Sequence, residues 1–216
     1  MSPLFSYLRE KELCLIDQNK FTIPFKKDET IRKQGTGMTH VLSLNSGLAK
    51  LYLEGTRFNN AIIRIVKPTN FIGGPGIYLD KMHHYSVTAL ENSVVCFIAM
   101  DVFVKVIDSN KRFLHEFMKD FSRNVLSVHN RLLSLTQKHA FGRMADTLIY
   151  LSEEIYSSPK FPLNLTKNDM ADLSGMSKDR AVQVLRQFKN EQIIKISRSE
   201  IEILNQKKLV HMSQFC

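Results

Sequence analysis

The segment LTKNDMADLSGMSKDRAVQVLRQFKNEQIIKI, residues 165–196, constrains the fold more than any other part of this 216-residue chain. Thr166 followed by Asp169 has the form of a helix N-cap with an acidic residue in the first turn. Gly175 permits the left-handed turn that ends such a helix, and Ser177 can cap a second one. Two helices joined by a short turn with glycine form the helix-turn-helix motif, which places its second helix in the major groove of DNA.

The second predicted helix separates apolar from polar side chains. Ala181, Val184, Leu185 and Phe188 recur at helical spacing, so we expect them to face the core. Long cationic and amide side chains on the outward face can reach guanine or adenine edges, while Asp179 can accept from cytosine N4 or favour its own helix dipole. The predicted DNA contacts of the motif are Thr166, Lys167, Ser177, Lys178, Asp179, Arg180, Gln183 and Arg186.

A predicted hairpin follows the motif. Ile193–Ile196 and the run IEIL that begins at Ile201 predict two short strands around the turn SRSE. Such a hairpin is the wing of a winged helix. Lys195 and Arg198 are expected to contact backbone phosphates there, which positions a protein on DNA without reading the sequence.

The first half of the chain has a different pattern, with short apolar runs between turn residues. Runs of this length, at intervals of about 8–12 residues and bounded by Gly, Pro, Asn or Asp, predict an antiparallel β-sandwich or β-roll. The runs are FTIPF, TIRKQG, HVLSLNSG, LAKLYLEG, NAIIRIV, FIGGPG, YSVTAL and VVCFIA. Before them, two short helical turns are expected between Leu4 and Asp17.

From about Met100 the apolar period changes to that of a helix. Seven apolar residues follow one another at spacings of 4, 3, 4, 3, 4 and 3, which predicts a two-helix dimer seam. The alternative is an amphipathic helix that lies on its own β-domain. The seam residues are Leu114, Met118, Phe121, Val125, Val128, Leu132 and Leu135.

Composition agrees with a nucleic-acid partner and argues against other classes. Thirty Lys and Arg against 21 Asp and Glu give a net charge of +9, which favours a polyanion. Cys14, Cys96 and Cys216 are widely separated, so we predict neither a disulfide framework nor a metal site. No catalytic residue is predicted, because GxSxG, HExxH and P-loop signatures are absent. Without a signal peptide or an apolar run of about 18 residues, we expect a cytoplasmic protein.

In the order of these parts the chain resembles the Crp/Fnr family of bacterial transcription regulators. ETIRKQG, LNSGLAKLYLEG, FIGG and ALENSVVCFI are similar to elements of the family's cyclic-nucleotide-binding β-roll. The resemblance implies an α+β protein with a jelly-roll-like sensory domain at 1–109, a dimerisation helix at 110–137 and a winged helix-turn-helix at 138–216. It implies a homodimer on a palindromic DNA site, an effector in the β-roll, and RNA polymerase as a partner.

The β-roll departs from the family pattern at the expected effector pocket. Family members that bind cyclic AMP or cyclic GMP have a Glu just after the FIG-like turn and an Arg about ten residues later. Gly74 stands at the Glu position, and the Arg position falls on His84 or Tyr85. A neutral His cannot replace a bidentate guanidinium, so we do not expect cyclic-nucleotide binding. The candidate pocket residues are Gly73, Gly74, His84, Tyr85 and Ser86.

Other cofactors of the family are weakly supported by the residues present. An iron–sulfur cluster needs four thiolates, and only Cys14 lies in the right region, so none is expected. Haem stays open, although no spacing selects among His40, His83 and His84, and the last two are expected on an exposed turn. Three alternatives therefore remain for the pocket: an unidentified effector, closure by its own side chains, or haem.

The recognition helix departs from the family as well. Where the family often has a Glu and, four residues later, an Arg, this chain has Asp179 and Gln183, and Arg180 replaces a small hydroxyl residue. We therefore expect an altered base preference, with Gln183 a candidate for adenine. Two alternative functions are a sequence-indifferent architectural DNA binder and a cupin-like metal enzyme, and the second would need an HxH pair that is absent.

Overall fold

The computed structural model describes residues 3–55 and 60–215. Cys216 therefore lies outside the described residues. The chain forms two compact units, Met1–Phe58 with Ile63–Leu126, and Asn59–Ile62 with Ser127–Cys216. In the described part, no helix is long and apolar enough to cross a membrane.

Each of the eight predicted apolar runs contains a strand, which confirms the antiparallel β-roll. The strands are β1 (Lys20–Phe25), β2 (Thr30–Arg32), β3 (His40–Ser46), β4 (Ala49–Leu53), β5 (Ala61–Val66), β6 (Phe71–Ile72), β7 (Ser86–Ala89) and β8 (Ser93–Ala99). They form two four-stranded sheets, ordered β1-β8-β3-β6 and β2-β7-β4-β5. Side chains such as Leu42, Val87 and Phe97 fill the apolar core of the roll.

A second core lies where helices cover the β-roll. A 3₁₀ turn (Pro3–Tyr7) and α1 (Glu10–Gln18) precede the strands, and α2 (Met100–Ser109) and α3 (Lys111–Gln137) follow them. Val41, Ile98 and Phe103 belong to this core, together with Ile16 from α1 and Phe113 from α3. The two short helical segments predicted near the N-terminus are confirmed.

Glu12 connects α1 to the corner between α2 and α3. Its carboxylate accepts hydrogen bonds from the Arg9 backbone N–H and from the Asn110 side chain, each at 2.8 Å, and it pairs with the Arg9 guanidinium. Asn110 in turn accepts from the backbone N–H of Phe113 at the start of α3. The Arg9 hydrogen bonds, with Asn110 contributing, hold the pKa of Glu12 down at about 2.

The second unit is a winged helix. It contains α4 (Ala140–Tyr150), a π-helical turn (Leu151–Ile155), β9 (Lys160–Pro162), α5 (Lys167–Ser174), α6 (Lys178–Asn190), β10 (Ile194–Ile196), β11 (Glu200–Ile203) and α7 (Gln206–Phe215). Met144, Leu148, Phe161, Phe188 and Leu209 are buried in it. β9 completes a three-stranded sheet of order β10-β11-β9. The sequence did not predict β9, because this strand follows Pro159 and ends at Pro162, and prolines are tolerated only in edge strands such as this one.

The helix α3 is continuous over 27 residues, about 40 Å at 1.5 Å per residue. Phe113 and Phe117 on one face are buried in the first unit's core. Four predicted seam residues are exposed: Met118 (47%), Val125 (38%), Val128 (41%) and Leu132 (58%). Leu114 packs beside the core of the first unit, so the seam is partly covered at this end. Apart from Leu114, the exposed seam residues thus lie outside the face of α3 that carries Phe113 and Phe117.

Candidate nucleic-acid interface

The helix α5 begins with the capping arrangement that the sequence predicts. The Thr166 hydroxyl accepts from the Asp169 N–H at 3.1 Å, and the Asp169 carboxylate accepts from the Thr166 N–H at 2.9 Å. Asp169 is buried, so this pairing satisfies a carboxylate that water does not reach. Lys167 follows the cap and is exposed at the first position of the helix.

The turn between α5 and α6 depends on Gly175, whose backbone is left-handed (φ 60°, ψ 46°). Its N–H and that of Met176 donate to the carbonyl of buried Ala171, which closes the end of the helix. Ser177 then caps α6 by accepting from the Arg180 N–H at 3.3 Å. A side chain at Gly175 would collide with a terminal methyl of Leu135 on α3. The predicted helix-turn-helix is thus present, with Leu135 packed on its turn.

Arg131, one helical turn before Leu135, holds the end of α5. Its guanidinium donates to the backbone carbonyls of Asp172, at 3.2 Å, and Leu173. A cation at the last carbonyls of a helix also interacts favourably with the negative end of the helix dipole. Burial lowers the pKa of Arg131 to about 10. This role of Arg131 could not be predicted from the sequence, because the two segments lie about forty residues apart.

The helix α6 buries one face and exposes another. Ala181, Val184 and Phe188 are fully buried, whereas Leu185 is half-buried. The exposed face carries Lys178, Asp179, Gln183 and Arg186. At 13 residues the helix is about 20 Å long, enough to cross a major groove with its polar face.

Arg180 differs from the other predicted contacts because its guanidinium folds back onto the domain. It lies 5.3 Å from the ring centre of Phe141 on α4, and it donates to the Gln183 side-chain oxygen at 2.7 Å. Arg180 is consequently half-buried rather than fully outward. Gln183 remains exposed, but its oxygen is already engaged by Arg180. The two side chains are thus held as a pair.

The wing has the predicted hairpin geometry. In β10 and β11, Lys195 pairs with Glu202 and Ile196 with Ile201. Ser197 closes the turn, where its hydroxyl accepts from the Glu200 N–H at 3.1 Å. Lys195 and Arg198 are exposed, as a phosphate contact requires.

In the β-roll, Tyr85 occupies the space beside the candidate pocket's glycines. Gly74 has φ 68° and ψ −165°, a conformation that is essentially restricted to glycine. A side chain there would overlap the Tyr85 hydroxyl and ring, and one at Gly73 would meet Ile77. Burial raises the pKa of Tyr85 to about 12. Of the five candidate pocket residues, Gly74 and Tyr85 are therefore packed against each other.

The other predicted pocket residues do not converge with these. His84 is exposed and lies 3.1 Å from Asp80. Ser86 is buried, and its hydroxyl donates to Glu54 at 2.5 Å while it accepts from the Gln34 N–H at 2.9 Å. Both polar functions of Ser86 are therefore committed to protein partners.

The prediction of an exposed turn at His83 was wrong, because this residue is only 1% exposed. Its backbone pairs with Gly35 and Thr36, which draws the residue inward. In the described part of the chain neither ring nitrogen has a hydrogen-bond partner. Burial lowers the pKa of His83 to about 4, with a contribution from Arg32, so the ring is neutral near pH 7.

The guanidinium of Arg64, for which the sequence predicts no role, lies near Tyr85. Arg64 on β5 donates to the Asn124 side chain on α3 at 2.7 Å and to the Phe71 carbonyl at 3.1 Å. Its positive charge also acts on Tyr85. Arg64 therefore links a strand of the roll to the long helix through neutral protein groups.

Metal ligands are not grouped anywhere in residues 3–55 and 60–215: no three His, Cys, Asp or Glu side chains are placed to hold an ion. Cys14 is exposed and Cys96 is buried, where burial raises the pKa of its thiol.

Two family models match this chain, in the order of its two units. A cyclic nucleotide-binding domain model matches residues 22–110, and a Crp-like helix-turn-helix domain model matches residues 142–212. The geometry of α5, α6 and the wing defines a DNA-binding transcription regulator. The chain belongs to the Crp/Fnr family of such regulators.

Individual relatives are distant but extend over most of the chain. The transcriptional activator protein Anr of Pseudomonas protegens is 25% identical over 186 residues, which are 84% of this chain and 76% of the relative. The fumarate and nitrate reduction regulatory protein of Vibrio cholerae is 24% identical over 211 residues, 95% and 84% of the two chains. The structure of FixK2 from Bradyrhizobium japonicum has a TM-score of 0.80 at 16% identity, and the match covers 89% of this chain and 96% of that one.

Proposed function

We propose that this transcription regulator acts as a homodimer that binds an imperfect palindrome through its two α6 helices. The observation that carries the proposal is the two-faced α6, with Phe188 and its neighbours buried and Lys178, Gln183 and Arg186 exposed. Lysine and arginine here can pair with phosphates or guanine, and glutamine with adenine. Contacts to the phosphate backbone of DNA would come from two further groups of residues. These are Thr166, Lys167 and Ser177 at the helix starts, and Lys195 and Arg198 on the wing.

Dimerisation is assigned to the exposed stripe of α3. Met118, Val125, Val128 and Leu132 lie on it, and a second copy of the helix would remove them from water. Phe121 completes the stripe, whereas Leu114 and Leu135, at its ends, also pack within their own chain. In this division, residues 1–109 form the sensory β-roll, 110–137 the dimer helix and 138–216 the DNA-binding domain.

We infer further that DNA binding needs no cyclic nucleotide. The support is the packing of Tyr85 against Gly74 and the engagement of Arg64 by Asn124 and Phe71. Both observations favour a pocket closed by its own side chains over an open effector site. The protein would act in the cytoplasm, where bacterial DNA lies, and would recruit or block RNA polymerase there.

The proposal is tested by fluorescence anisotropy with a labelled duplex that contains a selected site. Arg186→Ala should weaken binding at least about tenfold, which corresponds to loss of one charge-assisted contact. Lys207→Ala is the matched control, because Lys207 is an exposed cation on α7, outside the proposed interface. Equal affinities of the two variants would contradict the assignment of α6.

The architectural alternative is favoured only by the broad positive charge of the chain. For such a protein, unrelated competitor DNA should displace the labelled duplex from the protein at the same concentration as unlabelled duplex that carries the selected site. A specific regulator instead stays bound to the labelled site in the presence of about a thousandfold excess of unrelated duplex. Both experiments are run at one stated salt concentration, because phosphate contacts depend steeply on salt.

A further inference from the structure

The winged helix contains an apolar groove that a DNA contact does not explain. It lies between one side of α6, the segment that leads into α5, and the wing, and its volume is about 350 Å³. Small-molecule sites in proteins begin at about 300 Å³.

The lining is apolar and only partly shielded from water. Leu165, Met170 and Ile201 are buried beneath the groove. By contrast, Leu163, Val182, Leu185 and Ile196 are half-buried and line its accessible part. A ligand that covered these carbons would gain free energy in proportion to the apolar area removed from water. Phosphate oxygens of DNA cannot provide such cover.

Three positively charged side chains border the same groove. Lys167, Arg186 and Lys189 are exposed, and within residues 3–55 and 60–215 none of the three forms an ion pair. An apolar groove with three free cations at its border is complementary to a molecule with one apolar end and one anionic end.

We propose that this groove binds a medium-chain alkyl carboxylate. A volume of about 350 Å³ corresponds to about a dozen methylene-sized units, if each takes the ≈ 30 Å³ of a water molecule. The alkyl chain lies along Val182 and Leu185, and the carboxylate pairs with Lys189 and its cationic neighbours. Binding of this ligand and of DNA is mutually exclusive, because Lys167 and Arg186 serve both. This exclusion rests on the proposed function, in which α6 binds DNA.

The test is a calorimetric titration of the full-length protein with octanoate, decanoate and dodecanoate. Each added methylene should raise the affinity about fourfold. Decanol and decyltrimethylammonium should bind at least about tenfold more weakly than decanoate, because neither can pair with the cations. Affinities that are equal for decanoate and decanol would overturn the proposal.

Two variants locate the site. Lys189→Glu should weaken decanoate binding at least about tenfold, and Lys207→Glu, the same change on exposed α7, should leave it unchanged. Val182→Phe should fill the groove and so lower the affinity for decanoate. Residue 182 is only half-buried, so the larger side chain should not prevent folding. Circular dichroism checks that each variant is folded, and equal affinities for Lys189→Glu and Lys207→Glu would overturn the proposed site.

A third readout does not depend on substitution of the groove. With ¹³C-labelled methionine methyl groups, decanoate should shift the Met170 resonance and leave that of Met144, buried elsewhere in the same unit, unchanged. Shifts that spare Met170 would overturn the proposed site. Finally, decanoate should raise the apparent Kd for a selected DNA site. If it binds in the groove without this effect, the antagonism is refuted and the ligand site stands.

Discussion

Replacing Gly175 with alanine should destabilise the helix-turn-helix. The residue has a left-handed backbone, which costs a non-glycine residue about 1–2 kcal/mol. The new methyl would also collide with the Leu135 side chain, and moving that side chain off its rotamer costs about 0.5–1.5 kcal/mol. Alanine restricts the unfolded chain, which offsets about 0.4–1 kcal/mol. We expect a net loss of about 0.5–3 kcal/mol in the free energy of opening.

A double-mutant cycle separates the steric part of this loss from the backbone part. In a Leu135→Ala background the terminal methyls are gone, so Gly175→Ala should cost about 0.5–1.5 kcal/mol less than in the parent protein. Gly175→Asn is the matched control, because asparagine tolerates the left-handed region but still carries a Cβ. It should retain the steric cost and lose most of the backbone cost.

The assay is hydrogen exchange of the α5 and α6 amides, read by mass spectrometry, because it reports opening of this motif and not of the whole chain. Faster exchange in Gly175→Ala, partly restored by Leu135→Ala, is the expected result. If Gly175→Ala leaves the exchange unchanged, or if the two substitutions are additive, the packing of α3 on the turn is refuted.

Three other predictions follow from the structure. Because the folded pKa of Glu12 is near 2, its stabilising effect is present above its ordinary pKa of 4.5 and should be lost as pH falls from there towards 2; thermal unfolding of Glu12→Gln should lack this pH dependence. Val125→Asp should dissociate the dimer in sedimentation experiments. Asn130→Asp adds the same negative charge at an exposed residue outside the seam, and it should leave the dimer intact. Gln183→Ala should relax preference at one base position in site selection, whereas Lys195→Ala should weaken all sequences alike and lower the salt slope by about 1; a uniform effect of Gln183→Ala would count against base reading.

Local chemistry made most of the fold predictable. The capping pair Thr166 and Asp169, the glycine at 175 and Ser177 each act within a few residues, so their roles could be inferred from spacing alone. The alternation of short apolar runs and turns was equally informative for the β-roll. In contrast, β9 was missed, since its strand character comes from pairing with Glu200–Glu202 rather than from its own residues.

Long-range packing decided the features that the sequence could not predict. His83 is buried because its backbone pairs with the Gly35–Thr36 turn, and Arg180 is held by the ring of Phe141 on another helix. The contact between the Tyr85 ring and Gly74 likewise joins two different segments of the chain. The groove on α6 could have been anticipated in part, because Val182, Leu185, Arg186 and Lys189 recur at helical spacing.

The most direct test of the central claim is selection from random duplex DNA with the purified protein and no added nucleotide, at one stated moderate salt concentration. A regulator with its pocket closed by Tyr85 and Arg64 should enrich a palindrome whose half-sites are about 10 base pairs apart, centre to centre. Cyclic AMP or cyclic GMP should not sharpen that enrichment. If no sequence is enriched without nucleotide, and a palindrome emerges only when one is added, the account of the β-roll is contradicted.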